Sequence, residues 1–291
     1  VKKWLAQHLG VNHRVLHIVE EGRGVKIRDL DLDHLGRLTC SFVCKRYTDD
    51  AKWHRALFEA AEAGDILKVE RALKEPVDPD VRDAFDDYNS TSLSIASVHG
   101  HGEVVRLLCD ARAFVDLRDK FGYTALLDAA QSGALVVVCE LWSAGADIES
   151  ANECDMTPLF LATAEGHLDV VRFLCNARAS VDARDDVSRT PLSVTAGRCD
   201  SMVVRELCRA GASVNASDAR SRTPLWWAVC RGFYYHDDDD DYLGAEFQDV
   251  IPPPRAPARD YWVVLRFLLK ACAIVNASDS FPRLPLWLAA K

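Results

Sequence analysis

The sequence is short of the features that mark catalysis, metal capture and membrane insertion. It contains no GxSxG, no GxxxxGK[ST] and no HExxH, so it lacks a nucleophile elbow, a phosphate loop and a zinc helix. The GRG at Gly22 lacks a third glycine and is followed by a strand-like run, which excludes a dinucleotide fingerprint. No apolar run approaches the roughly 18 residues of a spanning helix, and no signal-peptide core follows the N-terminus. These absences predict a non-enzyme without cofactor, without resident metal and without direct membrane insertion. Basic excess is also missing. The formal charge of −9 argues against nucleic acid as a partner.

Ten cysteines are present, yet none forms a CxxC pair. Several lie inside apolar runs such as RLLCDA, RFLCNA and RELCRA. Buried free thiols follow, and with them an intracellular, reducing compartment, the cytoplasm first. Apolar residues make up 49% of the chain, which is ample for a core.

What the sequence has is a period. A Thr-led tetrad starts at Thr91, Thr124, Thr157, Thr190 and Thr223, at intervals of 33 residues. A sixth copy, LPLW, starts at Leu284, 61 residues after Thr223. An exact period of this length means one supersecondary unit repeated. In TPLFLATAEGHLDVVRFLCNARASVDARDD the small residues Ala162 and Ala164 predict a first helix that packs closely. Gly166-His167 breaks it, and Val170, Val171, Phe173 and Leu174 give the apolar face of a second helix. The threonine suits the N-cap and Pro158 the first helical position. His99, His101 and His167 sit at the helix breaks and are read as structural ties to a neighbouring unit.

With TPL, GH and VNA signatures at this spacing, the chain resembles ankyrin-repeat proteins over about 240 residues. The resemblance implies a mainly α fold: a solenoid of stacked helix pairs with protruding fingers, over 49–291. Residues 51–83 read as a divergent, more polar first unit with a connection three residues longer, and the last unit is truncated. The expectation is that the protein continues past Lys291 or that a partner covers that end. Arg112, Arg178 and Cys272 stand where the turn after the second helix normally carries glycine, and Cys199 occupies a helix-break glycine slot. Each left-handed non-glycine residue costs about 1 kcal/mol.

Residues 1–48 lack the repeat. They read as a helix over 1–9 followed by strand-like RVLHIV, GVKI and RLTCSFVC. This order, with VKKWLAQHLGV and RLTCSFV, resembles the second half of a ubiquitin-like domain. An unrelated α+β cap fits the same order.

The resemblance places a partner-binding groove on the concave face, built by the finger residues before each tetrad and the ends of the first helices. Carried over by position, it gives Tyr88, His99, Phe121, Tyr123, Met156, Arg189, Arg198, Arg220, Arg222, Arg231 and Arg283. One end is aromatic and the other rich in arginine, which implies another protein as partner, with an acidic segment for the basic end. Three uses remain open: a scaffold or adaptor that binds through this groove, a permanent subunit of a large multiprotein assembly, or a ubiquitin-pathway adaptor.

The Thr223 unit carries 28 extra residues, 233–260, at its helix–helix turn, where arrays accept insertions. HDDDDD fails the calcium-loop pattern, because Tyr242 and Gln248 stand where Gly and Glu are required. With eight acids against two arginines, the insertion is expected to compete for the arginine end of the groove. Deletion of residues 236–257 is then expected to tighten partner binding, measured by titration calorimetry; equal or weaker binding excludes the competition.

Overall fold

In the computed structural model the described residues are 16–20, 23–24, 41–44, 51–75, 77–82, 89–234, 258–275 and 277. The helix expected over 1–9, the unit starting at Leu284 and all but the flanks of the insertion lie outside them. Near the N-terminus, β1 (Leu16–Glu20) pairs antiparallel with both β2 (Arg23–Gly24) and β3 (Ser41–Cys44), in the order β2-β1-β3. Of the expected GVKI strand only Gly24 lies among the described residues, in β2.

The array consists of six helix pairs among the described residues. These are α1 (Ala51–Ala63) with α2 (Ile66–Lys74), α3 (Ser92–Val98) with α4 (Gly102–Asp110), and α5 (Ala125–Ser132) with α6 (Leu135–Ser143). Then follow α7 (Pro158–Glu165) with α8 (Leu168–Asn176), α9 (Pro191–Arg198) with α10 (Ser201–Arg209), and α11 (Pro224–Tyr234) with α12 (Ala258–Lys270). First helices pack on first helices of neighbouring units, and second on second.

The tetrad threonines start the first helices as caps. The hydroxyls of Thr91, Thr124, Thr157, Thr190 and Thr223 accept from the backbone N–H three residues on, at 3.2–3.4 Å. Each such cap is worth about 1 kcal/mol. Behind them, Leu93, Leu126, Leu159, Leu192 and Leu225 form one buried row. Leu108, Leu141, Leu174, Leu207 and Leu268 form a second on the outer helices. Every unit buries its leucines against the next unit's, so the core is a continuous strip.

Polar rungs fix the register of that strip. Side-chain oxygens of Asp116, Glu149 and Asp182 accept the backbone N–H of Asp147, Ser180 and Ser213 at 2.7–3.0 Å, each 31 residues ahead. Asp80 reaches Phe114 over 34 residues, which absorbs the longer first connection. Asn215 reaches Ile274 over 59, which spans the insertion without loss of register. Residues 233–234 and 258–260 of that insertion extend α11 and α12, so it leaves the stack later than the repeat pattern indicated.

Histidines clamp some junctions. His101 Nε2 lies 3.0 Å from the Glu62 carbonyl and His167 Nε2 lies 2.9 Å from that of Gln131, both in the preceding unit. The expected structural role is thus seen for these two. The ring needs the glycine before it: a Cβ on Gly133 (φ +75°) would sit 2.4 Å from His167 Nδ1. Arg112, Arg178 and Cys272 adopt φ of 66°, 67° and 64°, and Cys199 adopts 58°, the left-handed geometry inferred from the glycine slots.

Gly133→Ala is expected to destabilise the array by about 3 kcal/mol, from the backbone and the collision together. Arg178→Gly, which relieves the same backbone strain, should gain about 0.5–1 kcal/mol. Urea unfolding of both variants checks the pair.

Candidate protein-binding groove

Each finger is built by one side chain. Asp119 Oδ1 accepts from the backbone N–H of Phe121 and Tyr123, both at 2.8 Å. Asn152 does the same for Cys154 and Met156, and Asp218 for Arg220 and Arg222. Asp185 holds the N–H of Arg189 at 2.7 Å. The tips turn through left-handed residues: Gly122, Asp155, Ser188 and Ser221. Adjacent fingers are joined by backbone bonds of 3.0–3.2 Å from Glu153 to Phe121, Asp186 to Cys154 and Ala219 to Val187. The fingers therefore form one connected ribbon along the groove.

Two rows of side chains follow. At the tips stand Phe121, Cys154, Val187 and Arg220, all exposed. The Lys120 ammonium lies 5.0 Å from the Phe121 ring centroid. Immediately before the caps stand Tyr123 and Met156, half-buried, then Arg189 and Arg222, buried. Burial raises the Tyr123 hydroxyl above its ordinary pKa, and a hydrogen bond with Asn152 opposes the shift.

The arginine end is mostly wall. Arg189 Nε and Nη2 both lie 2.6 Å from Asp185 Oδ2. Arg222 Nε lies 2.7 Å from Asp218 Oδ2, and Trp227 Nε1 donates to the same oxygen at 3.3 Å. The Arg222 guanidinium sits 4.2 Å from the Trp227 ring centroid and 5.3 Å from that of Trp226. Burial lowers the Arg222 pKa, while Asp218 opposes that shift. Burial likewise raises the Asp185 carboxyl against the pull of Arg189. Arg198 is buried on α9. Among the described residues of the arginine-rich end, Arg220 is the exposed one, because the carboxylates at the finger bases draw Arg189 and Arg222 inward. His99 is exposed at the end of α3 and stacks on His101, with ring centroids 6.0 Å apart. Of Arg231 only the helical backbone is described, and Tyr88 and Arg283 lie outside the described residues.

Sequence reasoning missed Asp185, Asp218, Trp226, Trp227 and Asp128. The repeated D-x-x-x-R of residues 185–189 and 218–222 was the available signal for the ion pairs. Asp128 is the acidic member of an otherwise apolar register, Ile95, Leu161, Val194 and Trp227. Burial first, then the Asp119 carboxylate, pushes its pKa up to about 7; a hydrogen bond with Ser94 opposes the shift. The thiols of Cys109 and Cys175 are pushed up to about 11, chiefly by burial, which leaves them unreactive at neutral pH. Among the described residues no group of three His, Cys, Asp or Glu could hold a metal ion, and no helix is long and apolar enough to cross a membrane.

The raised Asp128 has a stability consequence with a definite sign. The folded state keeps this proton up to about pH 7, whereas the unfolded chain loses it near the ordinary value of about 4. Stability from this group is therefore full below pH 4 and falls as pH rises toward 7. Asp128→Asn should remove that fall and stabilise the array at pH 8 by about 3 kcal/mol relative to wild type. Urea midpoints of the two proteins at pH 4.5 and 8 measure it.

The model of the family "Ankyrin repeats (3 copies)" matches four overlapping stretches, 57–152, 115–185, 138–218 and 159–237. No curated protein matches the chain significantly. Among solved structures, the ankyrin repeat domain of Bcl-3, described as a unique member of the IkappaB protein family, superposes with a TM-score of 0.63 at 23% identity. The match covers 80% of this chain and 93% of that one. Threonine caps, paired helices, linked fingers and the matching family model agree, and the chain belongs to the ankyrin-repeat family.

Proposed function

We propose that the chain is a non-catalytic scaffold that binds another protein through the concave groove and its finger tips. The observation that carries this is the connected finger ribbon. It presents Phe121, Cys154, Val187 and Arg220 on a backbone held finger to finger, with Tyr123 and Met156 behind them. Such a row is preorganised: the backbone is already ordered, so the groove side forfeits little conformational entropy when a partner binds. Aromatic and arginine side chains are the usual energetic anchors of interfaces. An acidic segment of the partner suits the Arg220 end.

A second reading, a permanently bound structural subunit, draws on the opposite face. On the second helices one register carries Leu67, Val136, Met202 and Val263, interrupted by Glu103 and Asp169, all exposed, and Trp262 beside them is 66% exposed. A partner fixed there would bury these side chains.

The two readings separate by mutation and salt. Phe121→Ala should weaken groove binding by about tenfold or more without shifting thermal unfolding, while Val136→Ser should leave binding unchanged. The partner is first captured by affinity purification of the full-length protein from its native cells, and the variants are compared in the same capture. Loss of the partner at high salt fits the charged groove. Binding that survives high salt and Phe121→Ala, but not Val136→Ser, supports the subunit reading instead.

A further inference from the structure

The second helices, on the face opposite the groove, differ in charge along the array. α4 and α6 carry one cation, Arg106, against Glu103, Asp110 and Glu140. On α8, α10 and α12 the balance reverses. Arg172, Arg205, Arg209, Arg259, Arg266 and Lys270 stand against Asp169, Glu206 and Asp260. Six less three leaves a positive surplus of three, in a chain whose formal charge is −9.

That surplus is concentrated on α10 and α12. Elsewhere on the second helices cations meet acids: Lys68 pairs with Asp65 at 2.9 Å, Arg106 pairs with Glu103, and Arg172 lies 3.7 Å from Asp169 and 3.3 Å from Glu206. Glu206 also serves Arg209 at 3.8 Å, so two guanidiniums share one carboxylate. Asp200 uses its carboxylate to cap α10, accepting the N–H of Met202 and Val203, both at 3.1 Å. Among the described residues no carboxylate is ion-paired with Arg205, Arg266 or Lys270. Arg205 Nη2 turns instead to the Met202 sulfur at 3.4 Å, and its Nε has no hydrogen-bond partner among the described residues.

Apolar side chains stand on the same face. Trp262, Val263, Leu269 and Met202 are all exposed. On α12, Trp262, Arg266 and Lys270 follow at intervals of four, with Val263 and Leu269 between them. At about 3.6 residues per turn all five share about a third of the helix circumference. α10 packs beside α12 and adds Met202, Arg205 and Arg209 at i, i+3 and i+7. Cations and apolar groups are therefore interleaved. A protein interface sorts them, with an apolar centre and charges at the rim. The headgroup layer of an anionic bilayer does not: at one depth it offers anions to cations and an amphipathic zone to tryptophan.

We infer that the outer face of α10 and α12 is a peripheral docking surface for an anionic lipid bilayer. Arg205, Arg209, Arg266 and Lys270 meet the headgroups, and Trp262, Val263 and Leu269 enter the interfacial layer. The array lies on the bilayer without crossing it, and the groove, on the opposite face, stays free for a protein. The occupant follows from charge complementarity and from the exposed tryptophan set among the cations. Each cation adds about fivefold to the binding constant, within about a Debye length of the surface. The rest of the chain is acidic, the insertion with its eight acids against two arginines included, and is repelled. Binding is therefore oriented, with this face toward the lipid, and weakened by salt.

The test is co-sedimentation of the full chain with vesicles of phosphatidylcholine alone, or with about one third phosphatidylserine, in about 0.1 M salt. Binding is expected to the anionic vesicles and not to the neutral ones, and should be lost at about 0.5 M salt. Arg266→Gln combined with Lys270→Gln should weaken it about 25-fold. Arg106→Gln removes a cation three units away, beyond the reach of screened charge, and should change binding by less than about twofold. Lipids brominated in the upper acyl chain should quench part of the tryptophan emission, and Trp262→Phe should abolish that quenching. Arg266, Lys270 and Trp262 are exposed, so these variants keep the fold, which unchanged thermal unfolding verifies. Absence of binding to anionic vesicles, equal binding to neutral ones, or equal binding by the double variant overturns the inference. Quenching that survives Trp262→Phe also overturns it, because another face is then in contact. Capture of an acidic protein that depends on Arg266 and Lys270, without vesicle binding, reassigns the face to a protein and overturns the lipid reading equally.

Discussion

Everything in this array depends on the contact between one helix pair and the next. No single unit can bury its own leucines; Leu126 and Leu141 are fully buried only because the Thr91 and Thr157 units lie on either side. Since each unit touches only its neighbours, stability is close to a sum of unit terms and junction terms. The rungs from Asp116, Glu149 and Asp182 hold each junction in one register. Without them the apolar strip would tolerate sliding, because leucine faces leucine at every step. The finger ribbon is a by-product of the same constraint: once the helices are in register, the fingers are close enough to bond.

The groove inherits its character from how deep each side chain sits. Arg189 and Arg222 are the same residue type in the same register, and both turn back onto the aspartate that builds their own finger. An ion pair taken out of water gains little net stability, yet losing one partner is costly. The pairs therefore stiffen the finger bases without adding net charge. Trp226 and Trp227, whose rings meet edge to face at 5.4 Å, complete a rigid wall at that end. The opposite end is softer chemically: a carboxyl near its titration point, an exposed phenylalanine and a half-buried tyrosine.

Much of the scaffold was legible before any coordinates. The period gave the helix pairs, the caps and the buried rows. The glycine slots gave the left-handed Arg112, Arg178 and Cys199, because the turn demands that backbone whatever residue stands there. The extent of α11 and α12 was not legible, since a repeat pattern ends where the insertion begins and helix propensity then takes over. The groove positions came from the family resemblance, which assigns residues by register; register does not say that a guanidinium four residues from an aspartate folds back onto it. Asp128 was passed over for a related reason: a lone acid in an apolar register looks like an ordinary substitution until its neighbours Ser94 and Asp119 are in place.

The histidine clamps do not occur at every junction. His101 joins the first two units, and His167 joins the Thr124 and Thr157 units. The matching positions are Ala134 at the junction between those two blocks and Asp200 at the next one; neither carries a ring that could reach back. The junctions are therefore tied by different chemistry: a ring onto a carbonyl at two of them, the Ser132 hydroxyl onto the Ser97 carbonyl where Ala134 stands, and the Thr195 hydroxyl onto the Thr163 carbonyl where Asp200 stands. A substitution at any one of these side chains would loosen a single junction and leave the next one tied.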